Sequence, residues 1–255
     1  MLAVLSALEV EIKDFKKGMV INQTSSYQCC KFYRGRYRGR ECLLALTGMG
    51  AKHAGQVTQL ILATYPVKAV ISTGFGGSLN AKTGVGDIVV YDRLINGDQT
   101  EKSGDLKELL SDPELVRAAK LSGGKDFKTI TGNGVTISQV CSRPADKARL
   151  CRSFKADMVD MESYAIGKAA IEKNLPFVAV RSVFDGSKDD IGLLSKLTNN
   201  GKVSARKVCS QLISNPGEIK SLWRFSQNAG MARKNLAIFL AQLIERIKQP
   251  GDSYI

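Results

Sequence analysis

The chain has 255 residues, the size of one large α/β domain or of two small domains. Hydrophobic residues make up 44% and charged residues 24%, which excludes collagen-like, coiled-coil and wholly disordered chains. The 37 Lys and Arg against 24 Asp and Glu leave a formal charge of +13. This charge favours anionic partners such as nucleic acid, phosphorylated substrates or an acidic membrane surface, although it is spread along the chain as in a solubilising surface.

The cysteines and the first residues favour a cytoplasmic protein. The six cysteines form no CxxC pair and there is one histidine, so zinc-ligand spacing is absent. Adjacent Cys29 and Cys30 would strain a disulfide, so we expect reduced thiols. The apolar segment 1–8 lacks preceding basic residues and ends at Glu9 and Glu11, unlike a signal peptide. No stretch approaches the roughly 20 apolar residues of a membrane span.

Apolar periodicity predicts alternating strands and helices in the first half of the chain. In chain order these are a strand over 2–6, a helix over 9–17, strands over 27–33 and 41–47 around a turn over 34–40, a helix over 51–65, and strands over 69–73 and 87–94. The motifs Gly48-Met49-Gly50 and Gly74-Phe75-Gly76-Gly77 each follow an apolar strand. Neither is a dinucleotide fingerprint or a P-loop, so each indicates a tight turn or a close backbone approach to a ligand.

The second half repeats the alternation. In chain order it has helical segments over 105–121, a strand over 127–131 running into a Gly132-Asn133-Gly134 turn, a helix over 145–154, a strand over 158–159, a helix over 163–173, a strand over 177–183, a polar loop over 186–201, and helices over 203–213 and 221–247. The loop is long enough to be a lid or substrate loop. The pattern predicts one α/β domain over 1–255: a three-layer fold with a large, mostly parallel or mixed central sheet flanked by helices, and a helical extension at about 215–249.

Three carboxylates stand where predicted strands end. Glu11 follows the first strand, Glu162 lies between a short strand and a helix, and Asp185 ends the most apolar strand. Ligands of α/β sheets bind at the carboxyl ends of strands. A partly desolvated carboxyl has a raised pKa and can hold a proton for general acid catalysis. Taken singly, each of the three is explained more simply as a helix cap.

Six motifs follow one another over residues 1 to about 190. They are Ala7-Leu8-Glu9-Val10-Glu11, Thr47-Gly48-Met49-Gly50, Thr73-Gly74-Phe75-Gly76-Gly77-Ser78-Leu79, Val85-Gly86-Asp87-Ile88-Val89-Val90, Val159-Asp160-Met161-Glu162-Ser163 and Val180-Arg181-Ser182-Val183-Phe184-Asp185. In order and spacing they resemble the purine nucleoside and uridine phosphorylase superfamily. Within it, they are similar to the methylthioadenosine/S-adenosylhomocysteine nucleosidases.

The resemblance implies cleavage of an N-ribosidic bond, in which the base leaves with a proton and the sugar becomes oxocarbenium-like. By motif position, Asp185 protonates N7 of the purine, while Glu11 activates the attacking water with Arg181 near it. Glu162 grips the ribose hydroxyls and Met161 packs against the sugar. The other expected substrate-binding residues are Met49, Phe75, Gly76, Gly77, Val135 and Phe184. The resemblance implies a small-molecule nucleoside substrate, no cofactor, no metal and a homodimer.

The charges near the first strand favour hydrolysis over phosphorolysis. The resemblance implies that a phosphorylase has one arginine after its first strand and another before the first Gly-rich turn, because it must hold a phosphate dianion. This chain has Glu9 and Glu11 after the first strand, and Val70-Ile71-Ser72-Thr73 offers no cation. A phosphate-dependent purine nucleoside phosphorylase is the nearest alternative.

Some residues depart from the nucleosidase pattern. Phe75 and Phe184 stand where those enzymes usually have serines, and Val135 stands where they have a stacking phenylalanine, so the base specificity is open. Asn215-Pro216-Gly217-Glu218 and the helix after it look more like the hopanoid-associated phosphorylase branch, similar to enzymes that release adenine from adenosyl-hopane, a membrane lipid. A lipid-tailed nucleoside is therefore the second substrate candidate.

The segment 34–40 is the sharpest basic cluster and includes Tyr37. Arginines interleaved with aromatic residues can bind RNA, so a non-catalytic RNA-binding protein is a distant alternative. A charged hairpin tip is the simpler explanation. His53 follows Gly50 in the predicted helix and could touch the substrate, but a surface or satisfied helical residue is the simpler explanation. We expect Trp223 and Phe225 to be docking contacts of the C-terminal segment.

Overall fold

Strands and helices alternate along the chain in a computed structural model that describes residues 1–28, 30–98, 108–193, 198–199, 202–203 and 219–247. In chain order the elements are β1 Leu2–Ser6, α1 Glu9–Lys17, β2 Met19–Tyr27, β3 Cys30–Tyr37, β4 Arg40–Leu46, α2 Ala51–Thr64, β5 Ala69–Ser78, β6 Ile88–Asn96, β7 Glu108–Leu110, α3 Pro113–Lys120, β8 Thr129–Thr136, α4 Pro144–Phe154, β9 Met158–Asp160, α5 Ser163–Ile171, β10 Phe177–Asp185, β11 Thr198–Asn199, β12 Lys202–Val203 and α6 Ile219–Arg246. No helix among these residues is long and apolar enough to cross a membrane.

Ten strands form one mixed sheet, and β11 and β12 form a separate hairpin. The order β2-β3-β4-β1-β5 leads to a branch, because β5 pairs with both β9 and β10. From β10 the pairing continues through β6 and β8 to β9, so these strands and β5 close a ring, and β7 pairs with β6. Five pairings are parallel and five antiparallel. The predicted α/β fold with a large mixed sheet flanked by helices is confirmed.

β1 shows how the sheet separates two apolar cores. Leu2 and Val4 belong to one cluster, together with residues of α1 and α6. Ala3 and Leu5 belong to the other, together with residues of α2 and α5. Successive side chains of a strand point to opposite faces, so a wholly apolar strand needs cover on both sides. Helices on both faces of the sheet supply it.

The carboxyl ends of β1, β5 and β10 lie side by side. β5 pairs in parallel with β1 and with β10, in a register that aligns Gly74 with Arg181 and Gly77 with Asp185. Gly74 has φ +150°, and a Cβ added there would lie 2.9 Å from Oε1 of Glu11. The glycines of this segment therefore let the strand backbone approach carboxylates directly.

The predicted turn over 34–40 is wrong. Most of this segment belongs to β3, and the turn is confined to Arg38 and Gly39. β3 buries Tyr33 and Tyr37 and exposes the arginines between them, so its pattern is that of a half-buried strand. The strand predicted over 27–33 is likewise interrupted by a turn, since β2 ends at Tyr27 and β3 begins at Cys30.

The predicted helical region over 105–121 is divided. Residues 105–107 lie outside the described residues, and the next three form β7. α3 begins after Asp112, whose Oδ1 accepts hydrogen bonds from the backbone N–H groups of Glu114 and Leu115, at 3.0 Å each. The helix therefore starts at a side-chain cap followed by proline.

The predicted Gly132-Asn133-Gly134 turn is wrong, because all three residues lie within β8. A Cβ at Gly134 would overlap the ring of Tyr91, so glycine here reflects close packing inside the sheet. The structure describes Lys202–Val203 as a strand, and the rest of the helix predicted over 203–213 lies outside the described residues. The predicted loop over 186–201 is described as far as residue 193 and again at 198–199.

Candidate active site

Glu11, Glu162 and Asp185 are all buried at the carboxyl ends of the strands. Glu11 contacts Gly74 of β5, and Asp185 ends β10 with an oxygen 3.2 Å from the position of a Cβ at Gly77. Glu162 joins β9 to α5, and the carboxylate of Glu11 is close enough to affect its pKa. The three predicted carboxylates are thus brought together by strands that are separate in sequence.

Glu11 is held by three hydrogen bonds. Its Oε2 accepts from Ser6 Oγ at 2.7 Å and from the backbone N–H of Leu8 at 2.9 Å, and its Oε1 accepts from the backbone N–H of Phe75 at 3.0 Å. The bond to the Leu8 N–H caps α1. Helix capping, the simpler explanation of this residue, therefore accounts for one of its three hydrogen bonds. The bond to Phe75 reaches β5, which fixes the carboxylate between the two elements.

Glu162 immediately precedes α5 at the N-cap position, but its side chain does not cap this helix. Asp160 does so, accepting from the backbone N–H groups of Glu162 and Ser163 at 3.0 and 2.9 Å. Glu162 Oε1 instead accepts from the backbone N–H of Gly50 at 2.7 Å, which joins it to the first Gly-rich motif. Burial raises the pKa of Glu162 to about 7, and the Asp160 carboxylate adds to the rise.

Asp185 is paired with Lys147, a residue of α4 that sequence reasoning missed. Lys147 is 0% exposed, and its Nζ donates to Oδ2 of Asp185. Burial raises the pKa of Asp185 to about 6, although the Lys147 ammonium opposes the rise. A signal was present in the helical register, because Lys147 shares a face with the partly buried Leu150, Cys151 and Phe154.

Arg181 is buried beside Asp160. Its guanidinium donates to Ser72 Oγ at 3.0 Å and to the carbonyl of Val180 at 3.1 Å, and its Nε lies 3.5 Å from Oδ2 of Asp160. Because Asp160 also receives the backbone N–H of Glu162, Arg181 supports the position of Glu162 through Asp160.

Three aromatic rings form a cluster between β5, β10 and α6, with two rings stacked and the third tilted. The rings of Phe75 and Phe184 are 5.8 Å apart and nearly parallel, and the ring of Phe225 lies 6.3 Å from that of Phe184. Asn228 donates to the carbonyl of Phe184 at 3.0 Å. Through these contacts α6 packs on the last residues of β10, next in sequence to Asp185.

The model of the phosphorylase superfamily matches residues 1–245. The chain belongs to the phosphorylase superfamily. A curated relative, the 5′-methylthioadenosine/S-adenosylhomocysteine nucleosidase of Staphylococcus saprophyticus, is 24% identical over 226 residues, which cover 84% of this chain and 99% of the relative.

Two solved structures share the fold. The 5′-methylthioadenosine/S-adenosylhomocysteine nucleosidase of Neisseria meningitidis, in complex with methylthio-immucillin-A, is 23% identical and has a TM-score of 0.77 over 96% of this chain and 99% of that one. The futalosine hydrolase of Helicobacter pylori is 17% identical with a TM-score of 0.77, over 96% and 97% of the two chains.

The other predicted site residues of this superfamily member differ in exposure. Met49 is 37% exposed in the loop before α2, while Met161 is half-buried beside Glu162. Gly76 and Gly77 are part of β5. Val135 is fully buried in β8 within an apolar cluster that also contains Val159.

The basic cluster of this phosphorylase-superfamily chain makes contacts within the chain itself. Arg38 pairs with Glu245 of α6, and Arg40 donates to the backbone carbonyls of Glu245, at 2.8 Å, and Ile247. Two of its arginines therefore dock the C-terminal helix, which weighs against an RNA-binding loop. His53 is exposed, in agreement with the first of the two simpler explanations, a surface residue. The described residues contain no group of three or more His, Cys, Asp or Glu side chains that could hold a metal ion.

Proposed function

We propose that this chain is a nucleosidase that hydrolyses the N-ribosidic bond of a 5′-substituted adenosine, of the methylthioadenosine/S-adenosylhomocysteine type. The products are free adenine and the ribosyl compound. The observation that carries the proposal is the convergence of three buried carboxylates, Glu11, Glu162 and Asp185, at the carboxyl ends of neighbouring strands. The names of the curated relatives support the substrate type.

Asp185 donates a proton to the departing base. Its pKa of about 6 keeps a fraction of the carboxyl groups protonated near neutral pH, as a general acid requires. Protonation at N7 makes the purine a neutral leaving group and lowers the cost of breaking the bond to the sugar.

Glu162 and Glu11 act on the sugar and on the water. Glu162 uses Oε1 for the N–H of Gly50, and no described residue donates to its Oε2, which accepts ribose hydroxyls. Met161 packs against the sugar. Glu11 takes a proton from the attacking water. Both carboxylates also stabilise the positive charge that develops on the sugar as the base departs.

Charge supports hydrolysis over phosphorolysis. Glu11 accepts the Phe75 N–H, so a buried carboxylate lies between the residues that follow β1 and the glycine-rich segment of β5, where the resemblance implies that a phosphorylase would hold phosphate. The nearby guanidinium of Arg181 is 2% exposed and already bonded to Ser72 and Val180. A phosphate dianion would therefore meet a negative charge without a free cation in this part of the described site.

A second substrate candidate is a nucleoside with a larger apolar 5′ substituent. The cluster of Phe75, Phe184 and Phe225 favours it, because the partly exposed rings of Phe75 and Phe184 offer an apolar surface and Phe225 packs behind them. A lipid-tailed adenosine matches this surface better than the short methylthio group does.

Release of free base from methylthioadenosine, S-adenosylhomocysteine, adenosine and inosine, read by chromatography, tests the substrate type. We expect adenine from the first two, at higher kcat/KM than from adenosine. Equal or faster cleavage of inosine would contradict the proposal. Cleavage of none of the four, together with cleavage of an adenosine that carries a long alkyl chain at the 5′ position, would favour the second candidate.

A cytoplasmic location and a homodimer are part of the proposal. Cys42, Cys141 and Cys151, in the part of the chain that the structure describes, are free thiols, which supports a reducing compartment. Light scattering after size-exclusion chromatography tests the assembly, with a mass of twice 27.7 kDa expected.

A further inference from the structure

Lys147 is a buried cation to which the proposed mechanism assigns no step. It lies in the first turn of α4 and none of its side chain is exposed. Its Nζ donates to Oδ2 of Asp185, to the carbonyl of Gly186 at 2.7 Å and to the carbonyl of Asp189 at 2.9 Å. Three acceptors match the three N–H donors of an ammonium group, so the side chain has one defined position.

The ammonium makes the two oxygens of Asp185 different. Both oxygens lie near Gly77 of β5, Oδ2 at 3.2 Å and Oδ1 at 3.4 Å from the position of a Cβ there. Oδ2 is held as the acceptor of a charge-assisted hydrogen bond, whereas no described residue donates a hydrogen bond to Oδ1. An adjacent positive charge also favours the ionised carboxylate, which opposes the effect of burial on the pKa of Asp185.

Lys147 also joins the proton donor to the loop that follows β10. Asp189 closes this loop, since its Oδ2 accepts from the backbone N–H of Gly186 at 2.8 Å. Arg224 of α6 lies 3.5 Å from Oδ1 of Asp189, which ties the loop to the helix. Two titratable groups therefore face the Lys147–Asp185 pair directly: Asp189 and the Cys141 thiol before α4. Arg224 faces the pair indirectly, through its contact with Asp189.

We propose that Lys147 is a positioning residue for the proton donor: it fixes Oδ2 of Asp185 in an ion pair and leaves Oδ1 to carry the proton to the leaving base. The catalytic part of this inference rests on the proposed nucleosidase function. The electrostatic effect of Lys147 on Asp185 does not rest on that function, so an experiment can contradict either the Lys147 proposal or the nucleosidase function without the other.

The test is a titration of the Asp185 carboxyl carbon by NMR in ¹³C-aspartate-labelled protein, assigned by the loss of its signal in Asp185→Asn. Lys147→Met removes the charge at similar volume. Arg149→Met is the matched control, because Arg149 lies on the same helix, is 70% exposed and pairs with Asp146. We expect the pKa of Asp185 to rise by at least about one pH unit in Lys147→Met and to stay unchanged in Arg149→Met.

If Lys147→Met does not fold, Lys147→Gln is titrated in its place, because its amide can still donate a hydrogen bond but carries no charge. An Asp185 pKa that is the same in the wild type and in the folded neutral variant overturns the proposal, whatever the activity. A wild type that cleaves no nucleoside overturns the proposed function and leaves the titration to decide on Lys147.

A kinetic measurement separates positioning from a purely structural role. General acid catalysis by Asp185 requires its protonated form, so kcat/KM falls as the pH rises through its pKa. We expect this fall in kcat/KM to occur at higher pH in Lys147→Met. At lower pH, where kcat/KM is on its plateau, we expect a lower kcat in the variant. If Lys147 only stabilised the fold, its substitution would lower Tm and leave the pH at which kcat/KM falls unchanged. That result overturns the positioning role.

Discussion

Asp185 is the residue on which base departure depends, and Asp185→Asn removes its proton while keeping its shape. The amide oxygen can still accept the hydrogen bond from Lys147, so we expect the variant to fold, with a lower Tm because the buried ammonium loses its charged partner. We expect kcat to fall by on the order of 10²- to 10⁴-fold, the range for loss of a general acid. The measurement is kcat for base release together with Tm.

Asp190→Asn is the control for this prediction. Asp190 is exposed, and its Oδ1 accepts from the backbone N–H of Gly192 at 2.7 Å, a bond that the amide oxygen of asparagine can also accept. We expect near-normal kcat in the control. Near-normal kcat in Asp185→Asn as well would rule out Asp185 as the proton donor.

Glu162 links the site to the pH dependence of stability. Its pKa is raised from 4.5 to about 7, so the folded chain binds its proton more tightly than the unfolded chain does. The resulting stabilisation is fully present below the unfolded value and is lost as the pH rises through about 7. Between about pH 4 and pH 8 we therefore expect the free energy of unfolding to fall more in the wild type than in Glu162→Gln, by about 3 kcal/mol at most.

Urea unfolding of both proteins across this pH range measures the difference. Glutamine cannot ionise and can still accept the N–H of Gly50, so it is matched in shape to the protonated glutamate. Identical pH profiles for the two proteins would show that Glu162 titrates as it does in the unfolded chain.

The site residues differ in how far sequence could predict them. Glu11, Glu162 and Asp185 follow apolar strands, and that local signal was enough to single them out. Lys147 lies 38 positions from Asp185, in a helix with several other charged residues. Only its place on the apolar face of that helix distinguishes it, and no local pattern indicates which carboxylate it meets.

Among the helices and strands, α6 packs on the sheet and also contacts Phe184, the residue before Asp185. Phe225 is 4% exposed and packs on Phe184, whereas Trp223 on the same helix is 66% exposed. We expect Phe225→Ala to lower the free energy of unfolding by about 3 kcal/mol, as for a buried aromatic truncation. Trp223→Ala should change it by about 0.5 kcal/mol or less.

Urea denaturation of the two variants and the wild type tests this contrast. Equal losses in Phe225→Ala and Trp223→Ala would mean that α6 does not pack through Phe225. The KM of Phe225→Ala for a 5′-alkyl adenosine then reports whether the aromatic cluster also contacts the substrate.

Elements with a strong local signal were predicted to within a residue or two. α1 has the predicted bounds, because its apolar residues recur at helical spacing between Glu9 and Lys17. β2 is mostly exposed and has little apolar pattern, so only its last residue was predicted as strand. β3 was mistaken in part for a turn because its exposed arginines hide the alternation of buried residues, which becomes evident from its pairing with β2 and β4.

At the scale of the whole molecule, the alternation of strands and helices predicted the fold class but not the closed ring. The ring depends on β5 pairing with β9 and β10, which lie about 80 to 110 residues later in the chain. Sequence periodicity carries no information on such pairings. They bring Gly77 opposite both Val159 and Asp185, so the site is completed by long-range contacts.

The proposed reaction requires that water, and not phosphate, attacks the sugar. The most direct measurement is chromatography of the products formed from methylthioadenosine in phosphate-free buffer and in buffer with phosphate. We predict free adenine and free methylthioribose in both, at equal rates. Adenine release only with phosphate, accompanied by a sugar 1-phosphate, would contradict the assignment of Glu11 to the activation of water.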